Sequence, residues 1–435
     1  MNSPAYATET MPLPEIPRAP ETVPDVGVPR AILEDLALKT LYVAGSSSLK
    51  VLAQKMRLSF RVADDLFHRL RTEQLCEVTG MTGNIAEIAI TSRGRSRALE
   101  LLSLNQYTGP TPVSLENYIQ RVRQQSVGEV AVHLPEVERA FAHLVLDAKM
   151  LGKLGTALNS GTSIFLYGPT GGGKTTIALG LSRAVSTDPV LIPYAVEIDS
   201  QIISVYDAHL HSKVEGVVSH GSDERWVLCR RPAVLVGGEL TIEMLELQLN
   251  PITRFYAAPV QMKANNGILI IDDFGRQRVR PEELLNRWVV PLDRRIDFLT
   301  LAGGKKVEIP FELYVVFATN LEPSQLADAA FLRRIQTKIK VGAVSEHQFH
   351  EIFRKVCGDL GLQCEAATID ELIHIIRTKF KEPLRACHPR DIVNQVRWAA
   401  RYEKREPVVD REAIMVAVNT YFVSDSDDPD DDGDS

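Results

Sequence analysis

Gly168-Pro169-Thr170-Gly171-Gly172-Gly173-Lys174-Thr175 places four glycines, a lysine and a hydroxyl at the spacing that cradles phosphate, and Thr176 extends the polar run. Such a loop turns successive backbone N–H groups toward one concavity, and a helix starting at its end adds partial positive charge. Glycine is required because a side chain would block that approach. Lys174 is expected to reach the β/γ-phosphates of a nucleotide and Thr175 to ligate Mg²⁺. The flanks suit the chemistry. Ser163–Tyr167 is an apolar run of strand type, and Thr175–Leu181 is apolar at helical spacing.

A second set of residues supplies acid. Ile268-Leu269-Ile270-Ile271-Asp272-Asp273 reads as a buried parallel strand that ends in two carboxylates, at the sheet edge where ligands bind. Asp272 is placed to hold Mg²⁺ together with Thr175, and Asp273 to orient or deprotonate an attacking water. Leu313–Ala318 is another apolar strand. It ends in Thr319-Asn320, whose amide would position that water. Arg333 and Arg334 share one turn ahead of Thr337–Val341, and Arg390 follows a proline at the opening of a late helix.

The elements that must carry these residues fill a chain of 435 residues, 45% hydrophobic and 24% charged, which is ordinary for a soluble globular protein. The net charge of −7 is concentrated in seven aspartates between Asp425 and Asp434; without them 49 acids face 49 Lys and Arg. Bulk charge therefore argues for neither nucleic-acid nor membrane-surface binding. Five cysteines with no CxxC pair suit a reducing cytosol, no apolar run reaches bilayer length, and the N-terminus lacks a secretory pattern. A cytoplasmic location without membrane insertion is expected.

Along the chain, residues 1–28 read as a disordered Pro-rich arm and 29–108 as a winged-helix domain: three helices, a hairpin about Gly80–Asn84, and a closing helix. Leu49, Leu52, Met56, Leu58, Val62, Leu66 and Leu70 would form its core. Residues 109–128 read as a linker and 129–342 as an α/β nucleotide-binding domain. A helical lid over 343–423 and an acidic disordered tail over 424–435 complete the chain. The stretch Asp188–Lys263 exceeds what one strand and one helix need. Its His209, His211 and Asp207 lack a fourth ligand for zinc, so surface histidines are expected; Arg225, Arg230 and Arg231 read as a solvated face in preference to ring-interface or substrate residues.

In this order the motifs resemble those of the AAA+ ATPases, from about Glu129 to Phe422. The resemblance makes Gly168–Thr175 the Walker A loop and Ile268–Asp273 Walker B. It makes Asn320 sensor 1, Arg333 or Arg334 an arginine finger, and Arg390 sensor 2 in a four-helix lid. It implies a P-loop parallel sheet flanked by helices, ATP with Mg²⁺, and a homo-oligomeric ring, usually a hexamer, in which an arginine of one subunit completes the next subunit's site. Phe298–Ile309, alternating about Gly303-Gly304, looks like the hairpin of the branch that includes chelatases and enhancer-binding activators, and Asn265-Asn266-Gly267 looks similar too. Asp273 departs from the family, where most relatives carry glutamate. Being one methylene shorter, it implies slow turnover.

A winged helix ahead of such an ATPase is similar to bacterial proteins described as predicted ATPases with chaperone activity associated with Flp pilus assembly. The leading expectation is thus a chaperone-like hydrolase that remodels a protein client, in pilus or secretion assembly. The rival is a DNA-binding ATPase or regulator: 30–105 carries eleven Lys/Arg against eight acids, but Asp64 and Asp65 share the helix of Arg61, Arg69 and Arg71. A third is a scaffold that binds nucleotide without hydrolysing it.

Overall fold

The computed structural model describes residues 13–215, 221–326 and 332–422. The acidic segment over 424–435 lies outside them, as do residues 1–12. Residues 13–28, expected to belong to a disordered arm, are packed. Val23, Val26 and Val28 are buried around a 3₁₀ turn at Pro24–Val26, and Arg18 bridges to Ser222. The prolines space these valines so that each reaches an apolar surface, and that outweighs the ordering cost.

The next unit runs α1 (Arg30–Ala44), β1 (Ser47–Ser48), α2 (Leu49–Met56), α3 (Phe60–Thr72), β2 (Cys76–Thr82), β3 (Ile85–Ile90) and α4 (Ser92–Leu104). Hydroxyls start three of the helices: Ser48, Ser59 and Thr91 accept from the N–H groups of Val51, Val62 and Gly94. The strands form an antiparallel sheet in the order β1-β3-β2. All seven core residues expected between Leu49 and Leu70 are buried.

The expected linker is instead structural. It forms β4 (Val113–Ser114) and α5 (Leu115–Gln124), whose Tyr118 and Val122 lie one turn apart and are buried. Two short helices follow, α6 (Leu134–Phe141) and α7 (Ala148–Asn159), then β5 (Ile164–Tyr167) and α8 (Lys174–Val185).

The long stretch after α8 is mostly a β module, with β6 (Pro189–Pro193), β7 (Ala195–Ile198), β8 (Gln201–Ser204) and β9 (Trp226–Arg230), then β10 (Ala233–Val236), which joins the central sheet instead, then β11 (Gln248–Leu249) and β12 (Tyr256–Ala257). β6 pairs with β9, and a second sheet has the order β11-β12-β8-β7-β4. β4 joins it by pairing in parallel with β7.

After α9 (Val260–Lys263) come β13 (Ile268–Ile271), α10 (Pro281–Arg287), α11 (Val289–Arg294), and the hairpin β14 (Ile296–Thr300) with β15 (Lys306–Pro310). Then follow β16 (Tyr314–Thr319) and β17 (Thr337–Lys340). The central sheet is wholly parallel, in the order β10-β13-β16-β5-β17. Every residue of β13 and β16 is buried, as a sheet covered by helices on both faces demands. One face packs on α6, α7 and α8, the other around Trp288, Phe274 and Phe317. Four helices complete the described chain: α12 (Glu346–Asp359), α13 (Ala366–Thr378), α14 (His388–Tyr402) and α15 (Arg411–Tyr421), with a core of their own. The architecture is α/β.

Candidate functional site

β5 is buried among the central strands and ends at Tyr167, so the loop after it emerges at the C-terminal edge of the sheet. Gly168, Gly171 and Gly173 all have positive φ. At Gly168 a Cβ would lie 2.1 Å from the carbonyl oxygen of Val341, and at Gly171 2.5 Å from Cys387 Sγ, so neither tolerates a side chain. α8 begins at Lys174, directly after the loop.

Lys174 folds back over the loop. Its ammonium donates to the carbonyls of Gly168 (2.9 Å) and Pro169 (2.8 Å) and to Asn320 Oδ1 (2.7 Å). Burial pushes the ammonium below the ordinary lysine value, and Asp273 and Asp272 oppose that shift. Thr175 Oγ1 donates to Asp272 Oδ2 at 2.8 Å, which joins the first turn of α8 to the end of β13. Asp273 adopts a left-handed conformation (φ 48°), and its Oδ1 accepts from Asn320 Nδ2 at 3.1 Å. The five side chains Lys174, Thr175, Asp272, Asp273 and Asn320 thus meet at one sheet edge.

Gln277 is a site residue that sequence reasoning missed. Its Nε2 donates to the Asp272 carbonyl (2.7 Å) while its Oε1 accepts from Gly275 N (2.8 Å), clamping the turn that carries both aspartates. Only its polarity amid a Gly- and Arg-rich turn hinted at this.

A cavity of about 540 Å³ opens over these groups. Thr170, Gly171, Gly172, Gly173, Lys174, Thr175 and Thr176 line its polar end with Asp272, Asp273 and Asn320; Leu144, Val145, Leu146, Ile177, Ile352 and Val356 form an apolar wall. Lys355, Asp359, Cys387 and Arg390 close it from α12 and the start of α14. Cys387 N also donates to the Gly171 carbonyl at 3.1 Å, seating the helical unit on the loop. His143 also lines the cavity, and burial, with the cations Arg183 and Lys355 beside it, lowers its basicity below that of a free imidazole. Gly168 and Pro169 lie outside the cavity wall and act through the carbonyls that hold Lys174.

Arg333 and Arg334 do not line this cavity: Arg333 is exposed, and Arg334 pairs with Asp293 of α11 at 2.9 Å. Three expectations for the stretch Asp188–Lys263 do not hold. Arg225 is buried, fastened to Asp223 and donating to the carbonyls of Val26 and Pro112. Arg231 is buried on Asp188 and on the carbonyls of Gln125 and Asn266. Neither belongs to a solvated face, because each satisfies backbone carbonyls that would otherwise be buried unpaired. His211 is buried too, with Nδ1 accepting from Asp207 N and Nε2 against the Lys263 carbonyl, so both ring nitrogens are used structurally.

Among the described residues no cluster of three His, Cys, Asp or Glu could hold a metal, and no helix is long and apolar enough to cross a membrane. The paired Thr175 hydroxyl and Asp272 carboxylate offer hard oxygen donors of the kind Mg²⁺ takes, with open cavity beside them.

Residues 345–420, spanning the four C-terminal helices, match a family described as a domain of unknown function, DUF8689. No curated protein matches the chain. Among solved structures, the chain is similar to the RuvB P216G mutant of Thermotoga maritima at 14% identity, with 68% of this chain and 72% of that one covered and a TM-score of 0.35. NtrX of Brucella abortus, in complex with ADP, gives 13% identity, 76% and 68% coverage and a TM-score of 0.40. A further RuvB structure from Thermotoga maritima, described as a Holliday junction branch migration motor, gives 15%, 69%, 73% and 0.34. At these scores the likeness carries no argument about what the chain does.

Proposed function

We propose that the chain is an ATPase of the AAA+ type that binds ATP with Mg²⁺ and hydrolyses it. The observation that carries this reading is that Asn320 ties Lys174 to Asp273 beside the Thr175–Asp272 pair, within one cavity. The loop N–H groups and Lys174 stabilise the β/γ-phosphates, and the apolar wall takes the base and ribose. Mg²⁺, held by Thr175 and by Asp272, would offset charge developing on the phosphates. Asp273 orients the attacking water and accepts its proton, Asn320 fixes that carboxylate, and Arg390 reaches in from α14. The left-handed backbone at residue 273 supplies a reason for aspartate there: short Asp side chains are enriched in that conformation.

The ring and its protein client belong to the same proposal. Exclusion of Arg333 and Arg334 from their own chain's cavity supports their acting on a neighbouring subunit. The β14–β15 hairpin is fastened, with Leu299, Leu301, Val307 and Ile309 buried against the second sheet and Ala302 N donating to Tyr256 Oη. Any force at its Gly303-Gly304 tip would pass through that sheet into the N-terminal unit. A protein-docking role for that unit, read as a winged helix, is favoured over duplex binding. Arg61 and Arg69 pair with Glu21 and Glu73, and the β2–β3 tip has no Lys or Arg while Met81 is 62% exposed. The test is ATP turnover by the purified chain and by its Asp273→Asn form. Turnover should fall by about 100-fold with ATP still bound, and unchanged turnover removes Asp273 from the mechanism.

A further inference from the structure

The outer face of α14 is built as if something lies on it. Its inner face, Ile392, Val393, Val396 and Ala400, is buried in the helical core. The opposite side carries two adjoining stripes at helical spacing, Arg397 and Arg401 beside Trp398 and Tyr402. Trp398 is 59% exposed and Tyr402 89%. Between Ile392 and Tyr402 there is no acid, and among the described residues Arg397, Arg401 and the following Lys404 show no ion pair or side-chain hydrogen bond. Tryptophan, tyrosine and arginine together are the residue types that dominate binding energy when covered.

We propose that the acidic segment 423–435 of the same chain covers this face, its aspartates on Arg397, Arg401 and Lys404 and its backbone across Trp398 and Tyr402. Charge complementarity selects it: from residue 423 onward there are seven aspartates and no Lys or Arg. So does its point of departure. Tyr421 Oη donates to Asp391 Oδ2 at 3.1 Å, and the Phe422 ring lies 5.2 Å from that of His388, so the segment leaves the fold beside the first turn of α14. Thirteen residues reach up to about 44 Å. The face to be covered runs about 22 Å from His388 to Tyr402. A nucleic acid or a second copy of the chain is chemically compatible with the same face, but neither is tethered at its edge. This docking does not rest on the nucleotide reading.

Trp398 reports on it directly, because Trp226 and Trp288, the other two tryptophans, are buried. Acrylamide quenching is measured on the full chain and on a full chain with all seven tail aspartates changed to asparagine, with Trp398→Phe assigning the signal by difference. At about 20 mM salt the unaltered chain should be quenched about threefold less than the Asp→Asn chain, and about 0.5 M salt should abolish the difference. A carbodiimide should also join Lys404 to an aspartate between Asp425 and Asp434 within one polypeptide. That cross-link is read on the unaltered chain, so a folding defect in the variant leaves the test intact. Equal quenching together with no such cross-link overturns the proposal. So does protection that grows with protein concentration, which would assign the face to a second copy, or protection that appears only with added single-stranded oligonucleotide.

Discussion

Lys174 Nζ donates to Asn320 Oδ1 at 2.7 Å across 146 residues of sequence, and the other end of the same amide donates to Asp273. One side chain therefore sets the spacing between the cation that would meet phosphate and the carboxylate that would meet water. An amide suits this place because it offers an acceptor to lysine and a donor to carboxylate at once.

Asn320→Ala should consequently lower turnover more than affinity. The expected result is a loss of about 10- to 100-fold in kcat with nucleotide Kd changed by less than about threefold, checked by steady-state hydrolysis beside equilibrium binding. Asn320→Asp should be worse, since it replaces the donor facing Asp273 with a like charge.

Gln277→Ala tests the clamp on the turn that carries the two aspartates. Turnover should drop about tenfold while the melting temperature stays close to that of the parent, because Gln277 holds backbone positions within the site and contributes little to the core. A large fall in melting temperature would assign Gln277 to stability instead.

The Arg225–Asp223 pair, each side chain only 3% exposed, joins the N-terminal segment to the β module. Arg225→Ala leaves Asp223 buried without its partner and should cost about 3–5 kcal/mol in denaturant unfolding. Replacing both residues together by apolar ones should cost less than the single change, and equal losses would contradict the ion-pair account.

His388 is buried against Tyr421 and Phe422, and burial, with Arg385 beside it, lowers its pKa to about 4 despite the nearby Glu382 and Asp391. The unfolded chain binds this proton near pH 6.5, so between that pH and about pH 4 the unfolded state holds more protons. Stability of the helical unit is then full above about pH 6.5 and falls by about 3 kcal/mol as the pH drops toward 4. His388→Phe should flatten the profile over that window in thermal melts.

The central strands and the site were legible because their signals are local. β5, β13 and β16 are nearly continuous apolar runs, each followed at once by its candidate site residue. The same holds for the hydroxyl-capped helices between Leu49 and Leu104. The β module was opaque, since its strands are two to five residues long and β4 finds its partner β7 some 80 residues away. Residues 13–28 and 109–128 misled because proline-rich and short polar stretches look unattached until Val26 and Tyr118 are seen in their pockets. The buried arginines could not be read from sequence, as their partners include backbone carbonyls, which every residue carries.

Equilibrium binding of a fluorescent ATP analogue to the chain and to Lys174→Ala tests the central claim most directly. The cavity account predicts saturable, Mg²⁺-dependent binding by the parent and a loss of at least about 100-fold in affinity on removing the charge-assisted contacts of Lys174. Equal affinities for the two proteins would contradict it.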